Sequence, residues 1–330
     1  MKKSNCFCYR ILPIALCAAM LGGCGASAAS SSAMESGVFT DSAPLKVMVS
    51  FYQMYDSSMP DSITEMLSGP MKLVMSLMGG SGKPKAGCEI KTQYCTAIPI
   101  GTALAQSFDT DFVQRCGDIV GEEMEHFGVH LWLAPALNIH RSIRCGRNFE
   151  YYSEDPLVSG KMAAAMTRGV QAHKGCGTTI KHYAANNKEY NRTRNNSMVS
   201  ERAMREIYLK GFGICVREAQ PKAVMTSYNL LNGTHTAESR GLIMDILRAE
   251  FGYEGIVMTD WVTPMADTRS AHRDSQAQYV AAAGGDLFMP GNKGDYDNLL
   301  QGIDSGAVTL EQVKINASRV VRMARALTQE

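Results

Sequence analysis

The chain has 330 residues, of which 45% are hydrophobic and 20% charged, and a formal net charge of +1 at pH 7. That composition excludes the disordered and fibrous classes and leaves room for one large domain or two small ones. Acidic and basic residues are interspersed, so no field of one sign gathers nucleic acid or an anionic surface, and the natural partner is a small or neutral molecule.

The chain begins with Lys2 and Lys3 ahead of the apolar run Ile11 to Leu21, too short to span a bilayer comfortably and patterned like a targeting segment. It ends in Leu21-Gly22-Gly23-Cys24, before the small, Ser-rich tract Gly25 to Ser32. Small residues ahead of a cysteine resemble the lipobox of bacterial lipoproteins, which makes Cys24 the expected lipidation site. Residues 1–24 then read as a signal peptide, and the protein as extracytoplasmic and membrane-anchored. The competing reading is an amino terminus left by truncation, which would make it cytoplasmic. Residues 25–93 are a linker and a weakly patterned segment, with a strand candidate at Leu45 to Phe51 and one amphipathic helix around Ile63 to Met78. The methionines of that helix read as packing. Gly79-Gly80-Ser81-Gly82-Lys83 lacks the spacing of a phosphate loop and reads as a flexible linker.

Residues 94–330 form the main domain. Short β-rich runs at Thr96 to Ile100, His130 to Ala134, Thr178 to Tyr183, Ala223 to Tyr228, Gly255 to Asp260 and Asp286 to Met289 alternate with helical stretches. The helices are Asp111 to Phe127, Pro156 to Ala172, Ser200 to Ala219, Ser239 to Phe251, Ser275 to Gly284 and Thr309 to Leu327. Ser200 and Thr309 supply hydroxyl caps, the second as a capping box with Gln312. Strand alternating with helix is the signature of βα units around a parallel sheet. Several strands end abruptly in polar residues: Lys181-His182, Ser227-Tyr228-Asn229 and Thr259-Asp260-Trp261. Polar chemistry gathered at strand carboxyl ends, without a Gly-rich loop after the first strand, favours a (β/α)8 TIM-like barrel over a Rossmann-like sheet. The eighth strand is not visible, so the barrel is expected to be incomplete at its N-terminal end.

Asp260 follows the apolar run Ile256 to Met258 and precedes Trp261. A carboxylate held at a strand end beside an aromatic wall suits a sugar ring, because glycoside hydrolysis puts positive charge on the ring in the transition state. Taken alone, such an aspartate equally fits a metal ligand or a structural ion pair. Lys181 and His182 offer donors for hydroxyls, or else one buried ion pair and one core histidine. Arg147 and Arg192 lie in loops past strand ends, where a guanidinium fork grips hydroxyls or carboxylates, or simply faces solvent. The ten cysteines show no CxxC or Cys/His metal spacing, which argues against structural zinc.

The combination carries more than its parts. Ala134-Pro135-Ala136-Leu137-Asn138-Ile139-His140-Arg141, Cys145 to Pro156, Lys181-His182-Tyr183, Met225 to Asn229 with Asn232-Gly233, and Val257 to Trp261 resemble the successive signatures of glycoside hydrolase family 3. The likeness runs from about Tyr94 to the carboxyl terminus and is nearest to bacterial β-glucosidases. The resemblance implies retaining hydrolysis of β-linked glucosides or oligosaccharides, with release of terminal glucose and no metal or organic cofactor. Asp260 matches the nucleophile. Arg147, Lys181, His182, Arg192 and Tyr228 match positions that hold the sugar, Trp261 forms a wall, and Glu150 and Asp155 support a loop.

Two family features are missing from the sequence. The acid/base glutamate of two-domain members comes from an α/β sandwich domain that has no counterpart here, and the Asn186 to Asn196 loop lacks the histidine that one-domain members use instead. The early Asp-Gly-Pro motif is also absent; Ser68-Gly69-Pro70 only echoes it. Impaired turnover is therefore expected. The alternatives are a non-catalytic glycan-binding lipoprotein or truncated remnant, and a β-xylosidase of the same family. Nothing in the sequence sets an oligomeric state.

Overall fold

A computed structural model describes residues 47–48, 95–190, 192, 195–261 and 274–328. The signal segment with Cys24, the helix expected at Ile63 to Met78 and the glycine-rich stretch Gly79 to Lys83 lie outside the described residues.

In chain order the elements are β1 (Val47–Met48), α1 (Gly101–Gln106), α2 (Thr110–Phe127), β2 (Leu131–Trp132), α3 (Pro156–Gln171), β3 (Gly177–Tyr183), β4 (Asn196–Ser197), α4 (Lys210–Ala219), β5 (Ala223–Thr226), β6 (Leu230–Leu231), β7 (Thr234–His235), β8 (Ile256–Met258), α5 (Ala277–Ala282), α6 (Lys293–Ser305) and α7 (Leu310–Thr328). The main sheet runs β1-β2-β3-β5-β8, and every pairing in it is parallel. A parallel bridge from Met258 to Leu287 adds contact at its far edge. The protein is thus α/β with a parallel sheet, and each of these strands lies beside the one before it. A smaller sheet, β4-β6-β7, sits beyond the ends of β3 and β5.

β3, β5 and β8 are buried along their whole length, and β5 and β8 accordingly read as nearly continuous apolar runs. Alternate residues part company: Ile180, Val224 and Val257 join the core formed with α3, α4 and the helix over Gly241–Glu250. Ala223, Met225, Ile256 and Met258 join Leu131 and Leu133, and the same cluster takes in Val320, Met323 and Leu327 of α7. Period-two alternation thus sorts one strand between two cores. Helices α2 and α3 approach to backbone contact: a Cβ on Gly117 would lie 2.4 Å from the Met166 carbonyl oxygen, and one on Gly169 only 2.2 Å from that of Gln114.

Several boundaries differ from expectation. Thr96 to Ile100 is not a strand but an irregular approach to α1, because Pro99 supplies no ladder N–H; the Thr96 N–H donates to Glu123 Oε1 at 2.6 Å instead. Asp286 to Met289, between Gly285 and Pro290, contributes a bridge rather than a ladder. The helix expected from Ser200 to Ala219 starts as foreseen, with Ser200 Oγ accepting from the Ala203 N–H, but widens into a π-turn over Met204–Tyr208 before α4. Thr309 caps the Gln312 N–H at 3.1 Å, while the Gln312 amide donates to Asn316, so only the forward half of the expected capping box is seen. Helices α1 and α6 are additions to the sequence reading. Helix α6 carries a full capping box, Asn292 with Asp295, and ends at Gly306 with φ 78°.

A buried charge ties the carboxyl-terminal elements together. Asp286, 2% exposed, accepts from Arg248 at 2.6 Å, from Arg319 of α7 at 3.0 Å and from the Val257 N–H at 2.7 Å. Burial raises the Asp286 pKa against the pull of Arg248 and the Val257 N–H.

On the surface, His173 bridges two carboxylates of α2, with Nδ1 3.0 Å from Glu125 and Nε2 2.9 Å from Asp118. The hydrogen bond to Glu125 leads in raising the His173 pKa. A group whose folded pKa is raised stabilises fully below its unfolded pKa, about 6.5, and loses that contribution as pH rises through the folded value. The expected result is a melting temperature that falls more between pH 6 and 9 in the wild type than in His173→Gln. Parallel curves would show that the bridge contributes nothing.

Candidate active site

Strand ends deliver the reacting carboxylate and its nearest neighbours, and the loops that follow deliver Arg147 and Arg192. β3 terminates in Lys181-His182-Tyr183, β5 runs into Ser227-Tyr228-Asn229, and β8 into Thr259-Asp260-Trp261. The last of these is pinned from both sides: the Thr259 N–H donates to the Leu287 carbonyl at 3.0 Å, and its hydroxyl accepts from the Met289 N–H at 2.8 Å.

The Asp260 side chain is 12% exposed, and its Oδ2 lies 3.9 Å from His182 Nε2. Oδ1 accepts the Trp261 N–H at 2.8 Å, while Oδ2 is buried with no hydrogen-bond partner among the described residues. Burial raises the Asp260 pKa; the Trp261 N–H and then Arg147, Lys181 and Arg192 oppose it. The result is a carboxylate with one oxygen fixed and the group as a whole held in the field of three cations.

His182 is held by Asn138. The Asn138 carbonyl accepts the His182 N–H at 2.9 Å and faces Nδ1 at 3.2 Å, and its amide donates to the His182 carbonyl at 2.8 Å. An acceptor opposite Nδ1 selects the tautomer with the proton there, leaving Nε2 as an acceptor toward Asp260. Burial, with Arg147 and Lys181 nearby, drives the His182 pKa well down, so the ring is neutral. Two acceptors 3.9 Å apart form a receptor for a donor such as a hydroxyl.

The cations come from three places. Lys181 is buried, its pKa lowered by burial, with Nζ 3.9 Å from Glu150. Arg147 pairs through Nε with Glu150, and its Nη1 is 3.9 Å from Glu189; burial works against its charge, but these carboxylates outweigh it and raise its pKa. Arg192 donates to Glu189 at 3.1 Å and lies 4.9 Å over the Tyr228 ring, a cation–π contact. The Tyr228 hydroxyl donates to the Trp261 carbonyl, and burial followed by Asp260 raises its pKa. Trp261 packs against the core of β2, β5 and β8, with its Nε1 buried and unpartnered among the described residues.

Arg147, Lys181, His182, Arg192, Tyr228, Asp260 and Trp261 are therefore gathered at one end of the sheet. Asp155 is a helix cap, accepting from the Leu157 N–H at 2.7 Å at the start of α3. Glu150 holds Arg147 in its loop and reaches Lys181 as well. Asn138 and Glu189 escaped the sequence reading as site residues, although both lie inside stretches it singled out; Asn138 meets His182 across 44 residues, and the Glu189–Arg192 spacing of three gives no sign of the third partner, Arg147. Among the described residues no cluster of His, Cys, Asp and Glu is arranged to hold a metal ion, and no helix is long and apolar enough to cross a membrane.

Residues 82–323 match the family model described as the glycosyl hydrolase family 3 N-terminal domain. Beta-glucosidase A of Butyrivibrio fibrisolvens is 51% identical over 166 residues, 50% of this chain and 20% of that protein. Beta-glucosidase B of Emericella nidulans is 40% identical over 232 residues, 70% of this chain and 26% of its own. Among solved structures, β-glucosidase 3B from Thermotoga neapolitana in complex with glucose is similar with TM-score 0.67 and 37% identity, over 74% of this chain and 34% of that one. The chain thus spans between a fifth and about a third of the length of these relatives.

Proposed function

The chain belongs to glycoside hydrolase family 3, matched over residues 82–323, and on that premise we propose that it hydrolyses β-glucosides with retention, Asp260 attacking the anomeric carbon. One observation carries the reading: Asp260 Oδ2 is a buried carboxylate oxygen with no hydrogen-bond partner among the described residues, beside a neutral histidine and within the field of Arg147, Lys181 and Arg192. A carboxylate fixed through one oxygen and free at the other is set to attack. Lys181, Arg147, Arg192 and His182 bind the hydroxyls of the sugar, and Tyr228 and Trp261 wall the ring. The monotonic strand order β1-β2-β3-β5-β8 among the described residues, with no reversal of the kind a doubly wound sheet requires, supports a barrel over residues 94–330 that also takes in β1 at Val47–Met48. Anchoring outside the cytoplasm through lipidated Cys24 belongs to the same proposal.

Retention requires a second carboxyl group about 5–5.5 Å from the nucleophile to protonate the leaving group. The other two carboxylates of the cluster, Glu150 and Glu189, are engaged by Arg147, Lys181 and Arg192, so the proton donor lies elsewhere than in this cluster. Leaving-group protonation then limits the rate, since acid catalysis is worth roughly 10²–10⁴-fold. A series of aryl β-glucosides gives the test: 2,4-dinitrophenyl glucoside is expected to turn over far faster than phenyl glucoside, and transfer to methanol to give methyl β-glucoside. A flat series would place an effective acid within this chain. No cleavage of any member would remove the hydrolase reading.

A further inference from the structure

Five charged groups form an unbroken alternating line across the site: Lys181, Glu150, Arg147, Glu189 and Arg192. Glu150 belongs to the same short turn as its arginine. Glu189 is different. It comes from the loop after β3, yet one carboxylate oxygen faces Arg147 at 3.9 Å while the other accepts from Arg192 at 3.1 Å. The Asn186 amide donates to the Arg147-facing oxygen at 3.2 Å, which fixes the carboxylate's rotation. Its side chain is only 18% exposed, so these contacts are weakly screened.

We propose that Glu189 is the positioning residue of the sugar clamp: its carboxylate ties Arg192 to Arg147 and so sets where two of the three cations stand around Asp260. Arg192 in turn stacks over Tyr228, whose hydroxyl is bound to the Trp261 carbonyl next to Asp260. The position of Glu189 is thereby coupled to the geometry of the reacting carboxylate through Arg192 and Tyr228. Its charge matters as well as its shape. Glu189 holds Arg147 and Arg192, two of the cations that oppose burial at Asp260, so with Glu189 neutral those cations are released and Asp260 would ionise at higher pH.

This inference rests on the hydrolase reading, and two measurements on the full chain separate their fates. Glucose binding by calorimetry needs no turnover, and Glu189→Gln is expected to weaken it about tenfold or more, since two ion pairs become weaker contacts between a cation and a neutral amide; Glu189→Asp should lie between. Inactivation by 2,4-dinitrophenyl 2-deoxy-2-fluoro-β-glucoside should show a raised inhibition constant in Glu189→Gln and an acid limb moved to higher pH, opposite to the movement that loss of a negative charge alone would produce. If the wild type is labelled and Glu189→Gln matches it in both measurements, the positioning role is overturned. A fall in labelled fraction alone, with unchanged constants and pH limb, overturns it too. Should the wild type resist labelling while glucose binding still depends on Glu189, the hydrolase reading fails and the clamp stands.

Discussion

Replacing Asp260 by asparagine or glycine is expected to lower the turnover of an activated aryl β-glucoside by roughly 10⁴-fold or more, the scale on which loss of a nucleophile is felt. Asparagine is the sharper probe of chemistry, because its side-chain oxygen can still accept the Trp261 N–H that now holds Oδ1 at 2.8 Å, so the fold and pocket stay while the attacking charge goes. Glycine is the sharper probe of geometry. It opens a space where Oδ2 now sits beside His182 at 3.9 Å, and added azide should occupy it, attack the anomeric carbon and release an α-glucosyl azide. Retained activity within tenfold of wild type would place the reacting group elsewhere and leave Asp260 as a buried acceptor for a bound hydroxyl.

The second large effect concerns stability. Asp286→Ala should cost about 3–5 kcal/mol, because it leaves Arg248 and Arg319 as buried charges without their shared partner. It also frees the Val257 N–H, which now donates to the same carboxylate at 2.7 Å. For a domain of this size the melting temperature should drop by on the order of 10 °C. Asp286→Asn, which keeps one acceptor, should lose less. The site depends on this network at one remove, since Val257 lies three residues before Asp260 in β8 and its loop. A change in melting temperature below about 2 °C for Asp286→Ala would show that α7 and β8 are held by their apolar contacts alone.

The features legible in the sequence are those written into short stretches of chain. β5 and β8 stood out as apolar runs and β3 as a β-branched one, and the polar residues that ended each run marked Lys181, His182, Tyr228 and Asp260. Even the two-residue strand Val47–Met48 lies within an apolar run that read as a strand candidate, and it pairs with β2. What stayed hidden depends on distance along the chain. Glu189 meets Arg147 from 42 residues away, and Asp286 meets Arg248 across 38 and Arg319 across 33; no periodicity encodes such pairs. The small sheet β4-β6-β7 has strands of two residues, too short for alternation to register. The π-turn over Met204–Tyr208 keeps the apolar pattern of a helix while changing its hydrogen bonding, so the sequence there reads as ordinary helix. Thr96 to Ile100 shows the opposite failure, in which β-rich composition outweighed the single residue, Pro99, that forbids the ladder.

The central claim, that Asp260 is the nucleophile of a retaining glycosidase, is tested most directly by trapping the intermediate. The full chain should be incubated with 2,4-dinitrophenyl 2-deoxy-2-fluoro-β-glucoside, and its intact mass and proteolytic peptides measured. The predicted result is a gain of one fluoroglucosyl unit, carried on the peptide containing Asp260 and absent from Asp260→Asn. A chain that gains no mass, or carries the sugar on another residue, would contradict it.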